Sequence, residues 1–109
     1  MPDPMEPIIA RAANDLGLSM TEIREARNQQ WEILLEPEGA IFTCRTADGF
    51  QVRIASEGLA DLRNRKLADP NDVSFEMGTA YTMAVVGVYA AAAYALHKDR
   101  RPIPEGVRA

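Results

Sequence analysis

The chain has 109 residues, 47% of them hydrophobic, and carries 16 acidic against 12 basic side chains for a formal charge of −4. That length holds one core and that composition fills it, which excludes two domains and wholesale disorder. The acid excess also argues against a protein that works mainly by neutralising phosphates, since such proteins present a basic surface. The imbalance is local: residues 1–36 hold seven acids and three bases, whereas residues 37–109 hold nine of each.

From the N-terminus, MPDPMEP is acidic and proline-rich and lacks the basic-then-apolar order of a secretory signal. A first helix is expected over about Pro4 to Leu16. Met5, Ile8, Ile9, Ala12, Ala13 and Leu16 recur at helical spacing, Asp3 is placed to cap with Pro4 at the first helical position and Glu6 completing a capping box, and Gly17 is placed to end it. Ser19-Met20-Thr21-Glu22 is a second capping box, with Leu18 and Ile23 at hydrophobic-staple spacing. The helix it opens runs to about Asn28 and has a thin apolar side of Met20, Ile23 and Ala26.

The period then changes from 3.6 to 2. Apolar and polar residues alternate over about 31–36, 40–46 and 50–55, joined by Pro37-Glu38-Gly39 and Asp48-Gly49. This is the pattern of a three-stranded antiparallel meander. One face would carry Trp31, Ile33, Leu35, Phe42, Cys44, Phe50, Val52 and Ile54, and the other Thr43, Arg45, Gln51 and Arg53. Ser56 caps a helix from Glu57 to about Leu67, with Leu59, Leu62 and Leu67 inward and Asp61 and Arg65 paired on the outside. Asp69-Pro70-Asn71-Asp72 breaks the chain, with Asp69 or Asn71 as the next cap. The last helix is expected over about Asp72 to Lys98, roughly 40 Å long.

The fold class is therefore α+β, in the order α-α-β-β-β-α-α, as a single domain over 1–109 with flexible ends at about 1–4 and 101–109.

Within the last helix, Thr79 to Leu96 is eighteen residues without a charge, followed by His97, Lys98, Asp99, Arg100 and Arg101. A helix apolar on nearly all sides must be covered on nearly all sides. Gly87, Ala91 and Ala95 form a row of small residues suited to close packing, with three tyrosines spread around the helix. One small sheet and a first helix cover one side. The other side is expected to meet another protein or a second copy of this chain, through Tyr81, Val85, Gly87, Tyr89 and Tyr94. The expected function is non-enzymatic: a small cytoplasmic adaptor, inhibitor or assembly factor, of the compact acidic kind found among accessory proteins of bacteria and their phages. One alternative is a single membrane span, since the run reaches the minimum length of about 18 residues, although alanine outweighs leucine in it.

Another alternative rests on Ala13-Asn14-Asp15-Leu16-Gly17-Leu18-Ser19 and Ile23. These resemble the helix-turn-helix of DNA-binding repressors, in which an alanine is followed four residues on by the turn glycine and then an apolar residue. The resemblance covers about Ile8 to Asn28. It implies a winged regulator with Thr21, Arg24, Asn28 and Gln29 toward the groove and the following hairpin as wing. Glu22 and Glu25 in the same helix depart from that pattern.

The chemistry-bearing residues are sparse. One histidine and one cysteine, His97 and Cys44, give no metal-ligand spacing and no disulfide within the chain. His97 reads as a helix C-terminal residue and Cys44 as a core residue. No phosphate-binding glycine loop, nucleophile elbow or dinucleotide fingerprint is present. No cofactor, metal or catalytic residue is expected. Glu32, Glu36 and Glu38 read as solvated carboxylates. Arg45, Arg53, Arg63, Arg65 and Lys66 form the one modest basic patch open to an RNA or an acidic protein.

Overall fold

The fold is known from a computed structural model, which describes residues 3–37 and 39–109. Four helices and a three-stranded antiparallel sheet follow in the order α1 (Glu6–Leu16), α2 (Met20–Arg27), β1 (Trp31–Leu35), β2 (Ile41–Thr46), β3 (Gln51–Ala55), α3 (Glu57–Ala68) and α4 (Ser74–Lys98). This is the α+β architecture that the change of period predicts.

Helix boundaries follow local chemistry. The Ser19 box closes in both directions: its hydroxyl accepts from the Glu22 N–H at 3.1 Å and the Glu22 carboxylate accepts from the Ser19 N–H at 3.0 Å. Ser56 accepts from the Leu59 N–H at 3.2 Å. The first helix departs from expectation. Asp3 accepts from Met5 N–H at 2.9 Å, closing one turn ahead of the helix, and α1 itself starts at Glu6 with Met5 as an N-cap that offers no side-chain bond. Likewise Asp69 and Asp72 accept from Asn71 and Ser74 N–H groups in two successive local turns, so α4 starts at Ser74 with Val73 as its cap.

Two helices end in the same way. Gly17, at φ 70°, lets the Leu18 N–H reach the Ala13 carbonyl at 2.9 Å. At the end of α4 the left-handed position is held by Arg100 at φ 55°, and the Arg101 N–H reaches the Leu96 carbonyl at 2.9 Å. The Arg101 guanidinium then donates to the Gly17 carbonyl at 2.6 Å, joining the two helix ends.

The strands are ordered β1-β2-β3, with Ile33 opposite Cys44 and Cys44 opposite Val52 in one row, and Leu35 opposite Phe42 and Phe42 opposite Ile54 in the next. These rows face the core, where Phe42, Cys44 and Ile54 are fully buried. The outward face is a polar ladder. Arg45 bridges Glu32 at 3.5 Å and Gln51 at 2.8 Å, and Arg53 forks onto Glu36 at 2.7 and 2.9 Å while Thr43 donates to the same carboxylate.

Helix α4 touches every other element. Along Val85–Leu96 it runs through the core, and Val86, Val88 and Ala90 to Ala93 lose all contact with solvent. Small residues make this possible: Gly87 sits 3.5 Å, measured from the position of an added Cβ, from the tip of Ile33 on β1.

One expectation is corrected. Leu67 points outward, 82% exposed, because the side of α3 that meets α4 runs through Leu59, Leu62 and Lys66. The C-terminal stretch expected to be flexible lies along the edge of β3. The Ala55 N–H donates to Val107 and the Ala109 N–H to Ala55, at 3.1 and 2.8 Å, while Val107 is buried and Arg108 pairs with Glu57.

Candidate interaction face on the long helix

The five residues expected to face a partner separate into two groups. Val85, Tyr89 and Tyr94 are buried by the chain itself, and Gly87 is half-buried against β1. Tyr81 alone remains at the surface, 65% exposed.

The buried tyrosines are anchors. The Tyr89 hydroxyl donates to the Asp15 carboxylate at 2.9 Å and accepts from the Arg11 guanidinium at 3.0 Å, fixing α1 on α4. Burial, aided by Asp15, pushes the Tyr89 hydroxyl above its ordinary pKa. Tyr94 stacks edge-on with Trp31 and Phe50, at 5.8 and 5.3 Å between ring centres, and donates to Asp48 at 2.7 Å. Asp48 also accepts from the Thr46 hydroxyl and, at 3.3 Å, from the Phe50 N–H, and it lies 3.3 Å from the Lys98 ammonium. The Thr46 and Tyr94 hydroxyls, more than the ammonium, hold the Asp48 carboxyl well below its ordinary range. The β2–β3 turn is thereby tied to the last turns of α4.

Trp31 completes this cluster and donates from its indole to the Ala26 carbonyl at 3.3 Å, which ties α2 to the sheet. His97 lies beside Phe50, at 4.8 Å between rings. Cys44 is enclosed, and burial pushes its thiol up to about 12, away from the thiolate that nucleophilic or redox chemistry uses. Among the described residues, no three His, Cys, Asp or Glu side chains gather as metal ligands.

The basic patch is largely spoken for by neighbours. Arg45 and Arg53 are in the polar ladder, Arg63 lies over the Phe75 ring, and Lys66 pairs with Glu76 at 2.8 Å. Glu36 is held below its ordinary pKa chiefly by Arg53, and Glu32 pairs with Arg45, while Glu38 lies outside the described residues. Thr21, Arg24, Asn28 and Gln29 are all exposed on or just after α2, with Arg24 3.7 Å from Glu6. A shallow cleft of about 340 Å³ opens between α2 and the end of α4, lined by Glu22, Glu25 and Gln29 on one side and Tyr94, Lys98 and Asp99 on the other. The surface beside the would-be recognition residues is therefore of mixed charge.

What sequence periodicity does not single out is the N-terminal half of α4. There Val73, Met77 and Tyr81 are 56%, 76% and 65% exposed, and Ala80 and Ala84 are exposed with them. Successive residues advance about 100° around a helix, so these five fall within one stripe about 100° wide. The stripe lies opposite the side that Phe75, Gly78 and Thr82 turn inward. Gly78 meets α3 so closely that a Cβ there would fall 2.6 Å from Leu62. The stripe holds no charge. Asp72 and Glu76, which border it, are engaged with Ser74 and Lys66.

No protein family, characterised protein or solved structure matches this chain.

Proposed function

We propose that this protein is a non-enzymatic protein–protein interaction module whose docking face is the N-terminal half of α4. One observation carries the reading: three of the chain's exposed large apolar side chains, Val73, Met77 and Tyr81, share one stripe of one helix. Scattered surface hydrophobics need no explanation, but a contiguous uncharged stripe on a helix is the usual form of a helix-mediated contact. The rest of the fold supports this reading. The C-terminal half of α4 is clamped by its two tyrosine anchors, and α3 backs the N-terminal half at Gly78, so the exposed stripe is presented from a rigid base.

The same helix has the length and composition of a membrane span, with a mean hydropathy of 1.4 over its most apolar 18-residue window. Of that window 61% is buried inside the fold, and a span would require those contacts to be given up.

A photo-crosslinking amino acid at position 77 tests the reading in the native host. Defined protein adducts are expected there and not at position 65, on the opposite helix. Equal adducts at both positions, or none at 77, would remove the docking face.

A further inference from the structure

The order of side-chain sizes along the exposed stripe points to its occupant. From N- to C-terminus the stripe runs Val73, Met77, Ala80, Ala84, with Tyr81 on one flank. The two larger residues come first and the two alanines last. An antiparallel two-fold axis centred between Gly78 and Thr79 relates position 73 to 84 and position 77 to 80. It therefore sets Val73 of one copy over Ala84 of the other, and Met77 over Ala80, twice each. Large side chains meet small ones at every level, which is the size alternation that close helix packing needs. The same axis brings Met77 alongside Tyr81 of the second copy, a thioether-to-ring contact of the favourable kind.

We propose that the stripe is self-complementary and that two copies of this chain associate through antiparallel packing of their α4 N-terminal halves. The proposal rests on the docking face argued above and names its partner. Charge agrees with it. No charged side chain lies within the stripe, so two copies bring no like charges face to face. Glu76 on the border is neutralised within its own chain by Lys66 at 2.8 Å. A two-fold interface is isologous, so one short patch is used twice.

Area sets the strength. The stripe spans about three turns, roughly 17 Å of helix. A contact of that length buries less than the ~800 Å² per partner of a standard stable interface. The dimer is accordingly a weak one, visible as a rise of mass with concentration.

Sedimentation velocity from about 1 µM to about 1 mM is expected to carry the chain from monomer mass to dimer mass. Met77→Glu, an exposed position, should keep the native circular-dichroism spectrum and Tm while shifting the half-association point upward at least about tenfold. Register is read separately by mixing Met77→Cys and Ala80→Cys proteins under mild oxidation. The mixed 77–80 disulfide should dominate over the 77–77 and 80–80 homodimers. A chain that stays monomeric to 1 mM overturns the proposal, as does a dimer indifferent to Met77→Glu or one in which the mixed disulfide is disfavoured. In the monomeric case, adducts at position 77 with a different protein would preserve the docking face while removing self-association. Met77-dependent binding to lipid vesicles by a monomeric chain would assign the stripe to a membrane surface instead and remove both.

Discussion

Asp48 is the residue on which the closing of the fold converges. It accepts hydrogen bonds from Thr46, Phe50 and Tyr94 and neighbours Lys98, so one carboxylate joins the β2–β3 turn to the last turns of α4. Its pKa is lowered in the folded chain, so its contribution to stability is fully present above the ordinary carboxylate value of 3.8 and is lost as pH falls below it. Glu22, Glu36, Asp72 and Glu76 are shifted in the same direction. Stability is therefore expected to hold from neutral pH down to about 5 and to fall below that. Asp48→Asn should lower Tm at pH 7 and make the acid limb shallower. Tyr94→Phe, which removes the buried donor, should cost about 0.5–1.5 kcal/mol in urea unfolding. An acid limb unchanged by Asp48→Asn would show that the carboxylate is not the latch. Little of this is legible in the sequence. Asp48-Gly49 reads as a hairpin turn, but the hydroxyl that fixes it comes from 46 residues away.

At the scale of elements, local chemistry is legible and mutual placement is not. The three alternating runs fall on β1, β2 and β3 to within a residue of each end, and Ser19 and Ser56 cap as their spacing predicts. Where local signals compete, the boundary moves. Asp3 and Asp72 each spend a side-chain oxygen on a turn that precedes the helix, so α1 and α4 begin one to two residues late. The two helix ends that share a left-handed residue provide a direct comparison. Gly17 adopts its φ of 70° without steric cost, whereas Arg100 holds φ 55° with a Cβ. Arg100→Gly is expected to stabilise the chain by roughly 0.5–1 kcal/mol, measured by urea unfolding, because the relief of that strain exceeds the extra entropy of glycine in the unfolded chain. A loss of stability would mean that the Arg100 side chain contributes more than its backbone costs. The misplacement of Leu67 has a similar origin. Periodicity places Leu59, Leu62 and Leu67 together, but α4 crosses α3 along the line of Leu62 and Lys66, leaving Leu67 outside.

For the whole molecule, α4 is both core and surface, and the division falls near its middle. The sequence shows a long apolar helix that one small sheet cannot cover. It does not show which part stays bare, because that depends on where α1, α2 and the sheet land. They land on the C-terminal half and bury Val85, Tyr89 and Tyr94, three of the residues expected to meet a partner, leaving Tyr81 with Val73 and Met77 at the surface. The C-terminal stretch adds to the enclosed end by lying along β3, where Val107 reaches the core. A partner is thus met by one face of about three turns of helix, whose opposite side rests on α3 at Leu62 and Lys66. Amide hydrogen exchange resolved along α4, at about 1 µM and about 1 mM protein, tests this division most directly. Residues 85–96 should be strongly protected at both concentrations, and residues 74–84 should exchange faster when dilute and gain protection when concentrated. Uniform protection along the whole helix, or a 74–84 segment indifferent to concentration, would contradict the account.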